Sequence, residues 1–253
     1  MTTAKYDTAS AQRPASRFFA DPLRDYVLQR LGRPVSVLQA GCLAPLRELG
    51  IGQLTEGGFD ISVTAIDADD PLAKSVLHDI GPAYGDVIVG DLRTAPIPQR
   101  KYDIVYCARL IERIQHVELV LDRLVSALKP GGLLLLRTAD RRSAAGLLDR
   151  LLPRPARRVV WSRLYPGIPG PFPAVYEKAV CDQGITSYTM RHGLVIVSRG
   201  SDLTLREHQT RISSGVHITC AAISLLTRRR FSARHDELLY VIRKPQDRFA
   251  RVV

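Results

Sequence analysis

The apolar positions along the chain follow two rhythms. Phe18, Phe19, Leu23, Tyr26, Val27 and Leu31 recur at three- and four-residue spacing, and Gly32 ends the run, which predicts an amphipathic helix. Short apolar runs then predict buried strands over Val35–Gln39, Ile61–Ile66, Asp86–Val89, Tyr102–Cys107 and Leu133–Arg137. Between the last two, Leu110, Ile114, Val117, Leu121, Leu124 and Val125 share one face, which predicts a helix over Leu110–Leu128. Strands alternating with helices imply a parallel sheet covered on both sides, and unbroken runs such as Leu133–Leu136 suit strands buried on both faces.

Beyond the fifth strand the regularity weakens. Residues 141–175 are rich in proline and arginine and read as an irregular insertion. A helix is expected over Val175–His192, a sixth strand over Leu194–Ser198 and a seventh over Leu238–Arg243. A partly helical insert, 200–235, separates the last two. The expected organisation is a tail and capping helix over 1–34, followed by one α/β domain over 35–253 that carries both inserts.

Charge adds a pointer to partners. Lys and Arg number 36 against 25 Asp and Glu, a formal net charge of +11. Such an excess favours anionic partners, although it also serves solubility. Cys42, Cys107, Cys181 and Cys220 stand far apart, with no metal-ligand spacing, as expected of buried thiols in a reducing compartment. The N-terminal residues carry no apolar signal region, and the longest apolar stretch, Val216–Leu226, is too short to span a bilayer. The expected location is the cytoplasm.

Candidate chemistry lies at the strand ends. The first strand runs into Gly41, where the missing side chain lets a ligand approach the backbone. Asp67 ends the second strand; it can accept from both hydroxyls of a ribose, or simply cap the next helix. Gly90-Asp91-Leu92 follows the third, with Asp91 either a turn residue or an acceptor for an adenine amino group. Lys101-Tyr102-Asp103-Ile104-Val105-Tyr106-Cys107 carries the fourth strand. Leu128-Lys129-Pro130-Gly131-Gly132 then breaks a helix and launches the fifth.

This order of motifs resembles the class I S-adenosylmethionine (SAM)-dependent methyltransferases over residues 35–138, and more loosely over 193–198 and 238–243. The resemblance implies a Rossmann-like, seven-stranded, mostly parallel sheet with helices on both faces and an antiparallel last strand. It implies SAM as cofactor and S-adenosyl-L-homocysteine as product. Ala40, Gly41 and Cys42 would line the methionine part, Asp67 and Ala68 the ribose, and Asp91 and Leu92 the adenine. Cys107 and Ala108 would close over the cofactor.

The chain departs from the family pattern in two places. After the first strand it has Gly41-Cys42-Leu43-Ala44-Pro45, a single glycine where the family shows Gly-x-Gly-x-Gly. After the fourth it has Arg109 and Arg113 where many small-molecule members carry His-x-x-x-His. A hydroxyl acceptor generally needs a base within hydrogen-bond reach. Of His116, His192, His208 and His217, His116 is the expected catalytic residue because it follows the fourth strand. Arg109, Arg113, Tyr165 and Tyr176 are the expected acceptor-binding residues.

The arginines and apolar residues of 141–175 suit a clamp on an anionic or lipid-linked small molecule, a surface touching anionic membrane, or a solvated basic face. The expected activity is methyl transfer, most simply to oxygen, on a small-molecule, sugar or lipid-linked acceptor. The alternatives are a non-catalytic protein on the same fold and, more weakly, an RNA methyltransferase. The stretch Cys107-Ala108-Arg109-Leu110 lacks the Pro-Pro-Tyr-type motif of enzymes acting on amino groups of nucleic-acid bases, and nucleic acid is not an expected partner.

Overall fold

Four central strands set the architecture. β1 (Val35–Ala40), β2 (Ile61–Asp67), β4 (Tyr102–Ala108) and β5 (Leu128–Ala139) are buried along most of their length. Such strands need cover on both faces. The computed structural model describes residues 15–30, 32–41, 49–69, 71, 74, 85–164, 170–203, 211–228 and 230–246. β3 (Asp86–Val89), β6 (Val195–Asp202) and β7 (Glu237–Arg243) complete a seven-stranded sheet in the order β3-β2-β1-β4-β5-β7-β6. β7 runs antiparallel to both β5 and β6, while the other pairs are parallel. The reversal of strand order between β1 and β4 opens a crevice at the carboxyl edge, the usual ligand position in such sheets.

α1 (Ala15–Leu28) covers one face, and Phe18, Phe19, Leu23 and Val27 pack with Val37, Tyr106 and Leu135. Its C-terminal half also joins a buried polar node. The carboxylate of Asp103, wholly buried, accepts from the Ser36 amide at 3.0 Å and the Tyr26 hydroxyl of α1 at 3.4 Å, and pairs with Lys129 at 2.6 Å and with Arg30, just past α1, at 2.8 Å. Asp103 thus ties α1, β1, β4 and β5 together at the amino edge. Burial alone would raise its pKa. The bonds from Lys129 and Ser36 outweigh that and hold it below the usual carboxylate range.

On the other face lie α3 (Val117–Ala127) and α6 (Asp182–Arg191), with Val117, Leu121, Leu124, Ile185 and Tyr188 in one cluster. α2 (Ile51–Glu56) packs beside β2.

Several elements differ from the sequence expectation. The helix expected over Leu110–Leu128 begins only at Val117. Arg109 and His116 both adopt positive φ, 50° and 57°, so residues 110–116 turn instead. Leu110 and Ile111 are fully buried in that turn, which is why their spacing mimics a helix. The Lys-Pro-Gly-Gly segment belongs to a longer β5, with a register shift opposite Tyr102–Ile104. The helix expected from Val175 starts at Asp182, where the Cys181 side chain accepts from the Gly184 amide. Upstream, the Val175 and Tyr176 amides donate to the Glu112 carbonyl.

The supposedly irregular insert is largely helical. It holds α4 (Ala144–Leu151) and α5 (Arg154–Leu164). Ser143 caps α4 by accepting from the Gly146 amide at 2.9 Å, and Pro155 in the first turn of α5 costs no helical hydrogen bond. α7 (Arg211–Leu226) packs on both of them.

Candidate active site

Strand register brings the expected cofactor residues to one edge. Ala40 lies opposite Ile66 on β2 and Cys107 on β4, so Gly41 stands level with Asp67 and Ala108. Asp67 is opposite Val89 on β3, which puts Asp91 two residues further along the same edge. Gly41 has φ +85°, and a Cβ there would overlap the Ala108 carbonyl oxygen. Glycine is required here by backbone conformation and by the close approach of β4.

Asp67 is 1% exposed and faces an arginine. One terminal nitrogen of Arg113 donates to its two oxygens at 2.6 and 2.8 Å, and the Ala68 amide donates at 2.7 Å. The Arg113 guanidinium also lies 4.6 Å from the centre of the Phe172 ring, a cation–π distance.

Asp91 is exposed and gripped by Arg93, with Nε at 2.8 Å and Nη2 at 2.7 Å. These side-chain bonds, helped by the Arg93 amide, hold the Asp91 carboxyl down at about 2. Leu92, Cys107 and Ala108 are buried, Leu92 and Cys107 in the same core cluster as Ala40 and Ile66. Burial pushes the Cys107 thiol far up. Cys42 lies outside the described residues.

The donor set fits an adenosyl cofactor. Two carboxylates at adjacent strand ends would serve as acceptors for a ribose diol and an adenine amine, and the glycine at the end of β1 would admit a close backbone approach. The ribose can engage Asp67 only by sharing or exchanging the Arg113 contact.

A cavity of about 150 Å³ opens beside this edge, under α4, α5 and α7. Trp161, Phe172 and Tyr176 supply aromatic walls, and Glu112, Arg109 and Arg113 supply polar groups. Three of the four residues expected to bind the acceptor, Arg109, Arg113 and Tyr176, therefore come together. Tyr165 lies outside the described residues.

Glu112, Thr138 and Glu237 were not singled out from the sequence. Glu112 accepts from the Thr138 hydroxyl at 2.9 Å. Burial pushes its carboxyl up to about 7; the Thr138 bond and the Arg113 charge oppose the shift, and Glu237 adds to it. Glu237 is itself held by Arg137 at 2.6 Å and Arg109 at 2.8 Å. The available signal was an acid directly before Arg113, just after the fourth strand.

His116 is not in this cavity, which corrects its expected position. It is exposed at the start of α3, where its amide donates to Glu177 at 2.7 Å. It borders a separate, open depression with Glu118, Leu119 and Lys178.

Comparisons with known proteins agree with this geometry. The model of a family described as "Methyltransferase domain" matches residues 12–174. A ubiquinone biosynthesis O-methyltransferase of Rickettsia bellii is 29% identical over 140 residues, which is 51% of this chain and 55% of that protein. The chain thus spans about half the length of the curated relatives it matches. Among solved structures, a putative sarcosine dimethylglycine methyltransferase from Galdieria sulphuraria aligns with a TM-score of 0.56 at 15% identity, covering 91% of this chain and 85% of that one. The plantazolicin methyltransferase, solved with a triazolic desmethyl-plantazolicin analogue and S-adenosylhomocysteine, aligns with a TM-score of 0.53 at 16% identity, covering 92% of this chain and 85% of that one. Sheet order, edge residues and family match converge: the chain belongs to the class I SAM-dependent methyltransferases.

Proposed function

We propose that the protein transfers a methyl group from SAM to a hydroxyl oxygen of a small acceptor carrying one aromatic ring or a group of similar size. The observation that carries this reading is Glu112, a half-buried carboxylate with a pKa raised to about 7 that lines an aromatic-walled cavity next to the strand edge. A cavity of about 150 Å³ matches a single benzene-sized ring. The relative named for O-methylation supports oxygen as the acceptor atom.

When bound, SAM supplies a sulfonium-activated methyl carbon. The protein's own groups then have three tasks. Trp161, Phe172 and Tyr176 hold the acceptor and exclude water. Glu112 takes the hydroxyl proton as the oxygen attacks, a role suited to a base whose pKa lies near neutral. Arg109 and Arg113 hold any anionic substituent of the acceptor. Thr138 orients the Glu112 carboxylate.

The test is incubation with methyl-labelled SAM and a panel of phenols, catechols and hydroxybenzoates, read by mass spectrometry. The expected result is gain of one methyl on oxygen. Binding of S-adenosylhomocysteine without transfer to any oxygen acceptor would instead support a second reading, a methyltransferase fold used for binding. The buried grip of Arg113 on Asp67 is the feature that favours it.

A further inference from the structure

One helix in the roof of the cavity, α7, is apolar on its outer side as well as its inner side. An ordinary surface helix turns a polar stripe to solvent. α7 does the opposite: after Arg211 it carries no charged residue. Its outward stripe is Ile218, Ala222, Leu225 and Leu226, with Ile218 71%, Leu225 71% and Leu226 84% exposed. Leu151 on α4 and Val159 on α5 are also exposed, at 70% and 60%. Five large aliphatic side chains lie on α7 and on the two helices that pack against it, more exposed apolar surface than scattered single residues explain.

The charges around them have one sign. Arg154, Arg158 and Arg163 are exposed on α5, and Arg228, Arg230 and Arg234 beyond the end of α7. The acid within 144–164 and 211–234 is Asp149, which Arg157 holds at 2.8 Å.

Aliphatic residues ringed by arginine are complementary to a layer with an anionic surface and an apolar interior. Protein interfaces instead concentrate aromatic anchors, and no aromatic side chain is among the highly exposed residues of these helices. Among the described residues no helix is long and apolar enough to cross a membrane.

We propose that the α4–α5–α7 face docks on an anionic lipid bilayer. The inner sides of the same helices line the cavity through Leu148, Leu152, Val160 and Val216. Docking therefore sets the acceptor cavity against the lipid, where an acceptor with an apolar tail would be found. That last step rests on the proposed function; the docking does not.

The test is sedimentation of the full chain with vesicles of phosphatidylcholine alone or mixed equally with phosphatidylglycerol. Neither SAM nor an acceptor is needed, so failure of methyl transfer and failure of docking are separate results. The expected result is binding to the phosphatidylglycerol vesicles that weakens with salt, and little binding to phosphatidylcholine alone. Leu225→Gln with Leu226→Gln should lower partitioning roughly tenfold. Arg228→Asn with Arg230→Gln should lower it about fivefold per arginine. Each variant should keep the wild-type thermal melt and affinity for S-adenosylhomocysteine. The proposal is overturned if the wild-type chain ignores anionic vesicles, or if both double variants bind them as wild type does. It is equally overturned if the chain forms a dimer that Leu225→Gln with Leu226→Gln dissociates while vesicles do not bind, because the face then belongs to a second copy.

Discussion

One terminal nitrogen of Arg113 bridges the two carboxylate oxygens of Asp67, at 2.6 and 2.8 Å, in a site almost closed to water. Asp67 is thus already charge-paired, and if it holds the ribose as we propose, the pair should couple stability to cofactor affinity. Asp67→Ala leaves a buried guanidinium uncompensated and should cost about 3–5 kcal/mol of stability. It should also abolish binding of S-adenosylhomocysteine. Arg113→Met should lower the melting temperature yet tighten S-adenosylhomocysteine binding by about tenfold, since the ribose no longer competes for Asp67. Thermal melts and calorimetric titrations on the two variants check whether stability and affinity separate in this way.

Glu112 should impose a pH dependence on turnover. Its carboxyl titrates at about 7, and proton removal from the acceptor needs the ionised form. Turnover should rise through that pH and then level off. Glu112→Gln should lower the maximal rate by about a hundredfold and flatten the profile. An unchanged profile would remove Glu112 from the chemistry.

The same group should leave a mark on stability. Its folded pKa, about 7, lies above the ordinary 4.5. Its contribution is therefore complete below about 4.5 and is lost as pH rises through 7. Glu112→Gln should be more stable than wild type at pH 8, relative to their difference at pH 4, in paired denaturant titrations.

Asp103 should behave in the opposite sense. Its folded pKa lies below the ordinary 3.8, so its contribution is present above that value and is lost as pH falls through the folded one. Asp103→Asn should be less stable at pH 7 and show a smaller further loss on acidification. Acid-unfolding curves followed by circular dichroism would test this.

Gly41 should tolerate no side chain. With φ at +85° and the Ala108 carbonyl against its Cα, Gly41→Ala must shift β1 from β4 or distort the loop. A loss of S-adenosylhomocysteine affinity larger than the loss of stability is expected from titration and melting of this variant.

The strand ends were readable because a sheet buried on both faces writes itself as apolar runs. The first one or two residues after each run fall at the carboxyl edge by construction, which is how Gly41, Asp67 and Asp91 share one edge. The turn over 110–116 was not readable. Leu110 and Ile111 are buried there without a helix, and only the positive φ of Arg109 and His116 separates the two cases. That turn sends His116 outward and brings Glu112 to Thr138, a contact between residues 26 apart. The helices of 141–175 were hidden by their prolines, although Pro155 sits where a helix accepts one. The Asp67–Arg113 pair joins positions 46 apart, and no local pattern announces it.

The most direct test of the account is calorimetric titration of S-adenosylhomocysteine into the full chain, wild type beside Asp67→Asn. Saturable binding of one molecule per chain is expected, with a dissociation constant of roughly micromolar order, lost in the variant. No heat of binding to the wild-type chain at millimolar ligand, or equal binding by Asp67→Asn, would contradict it.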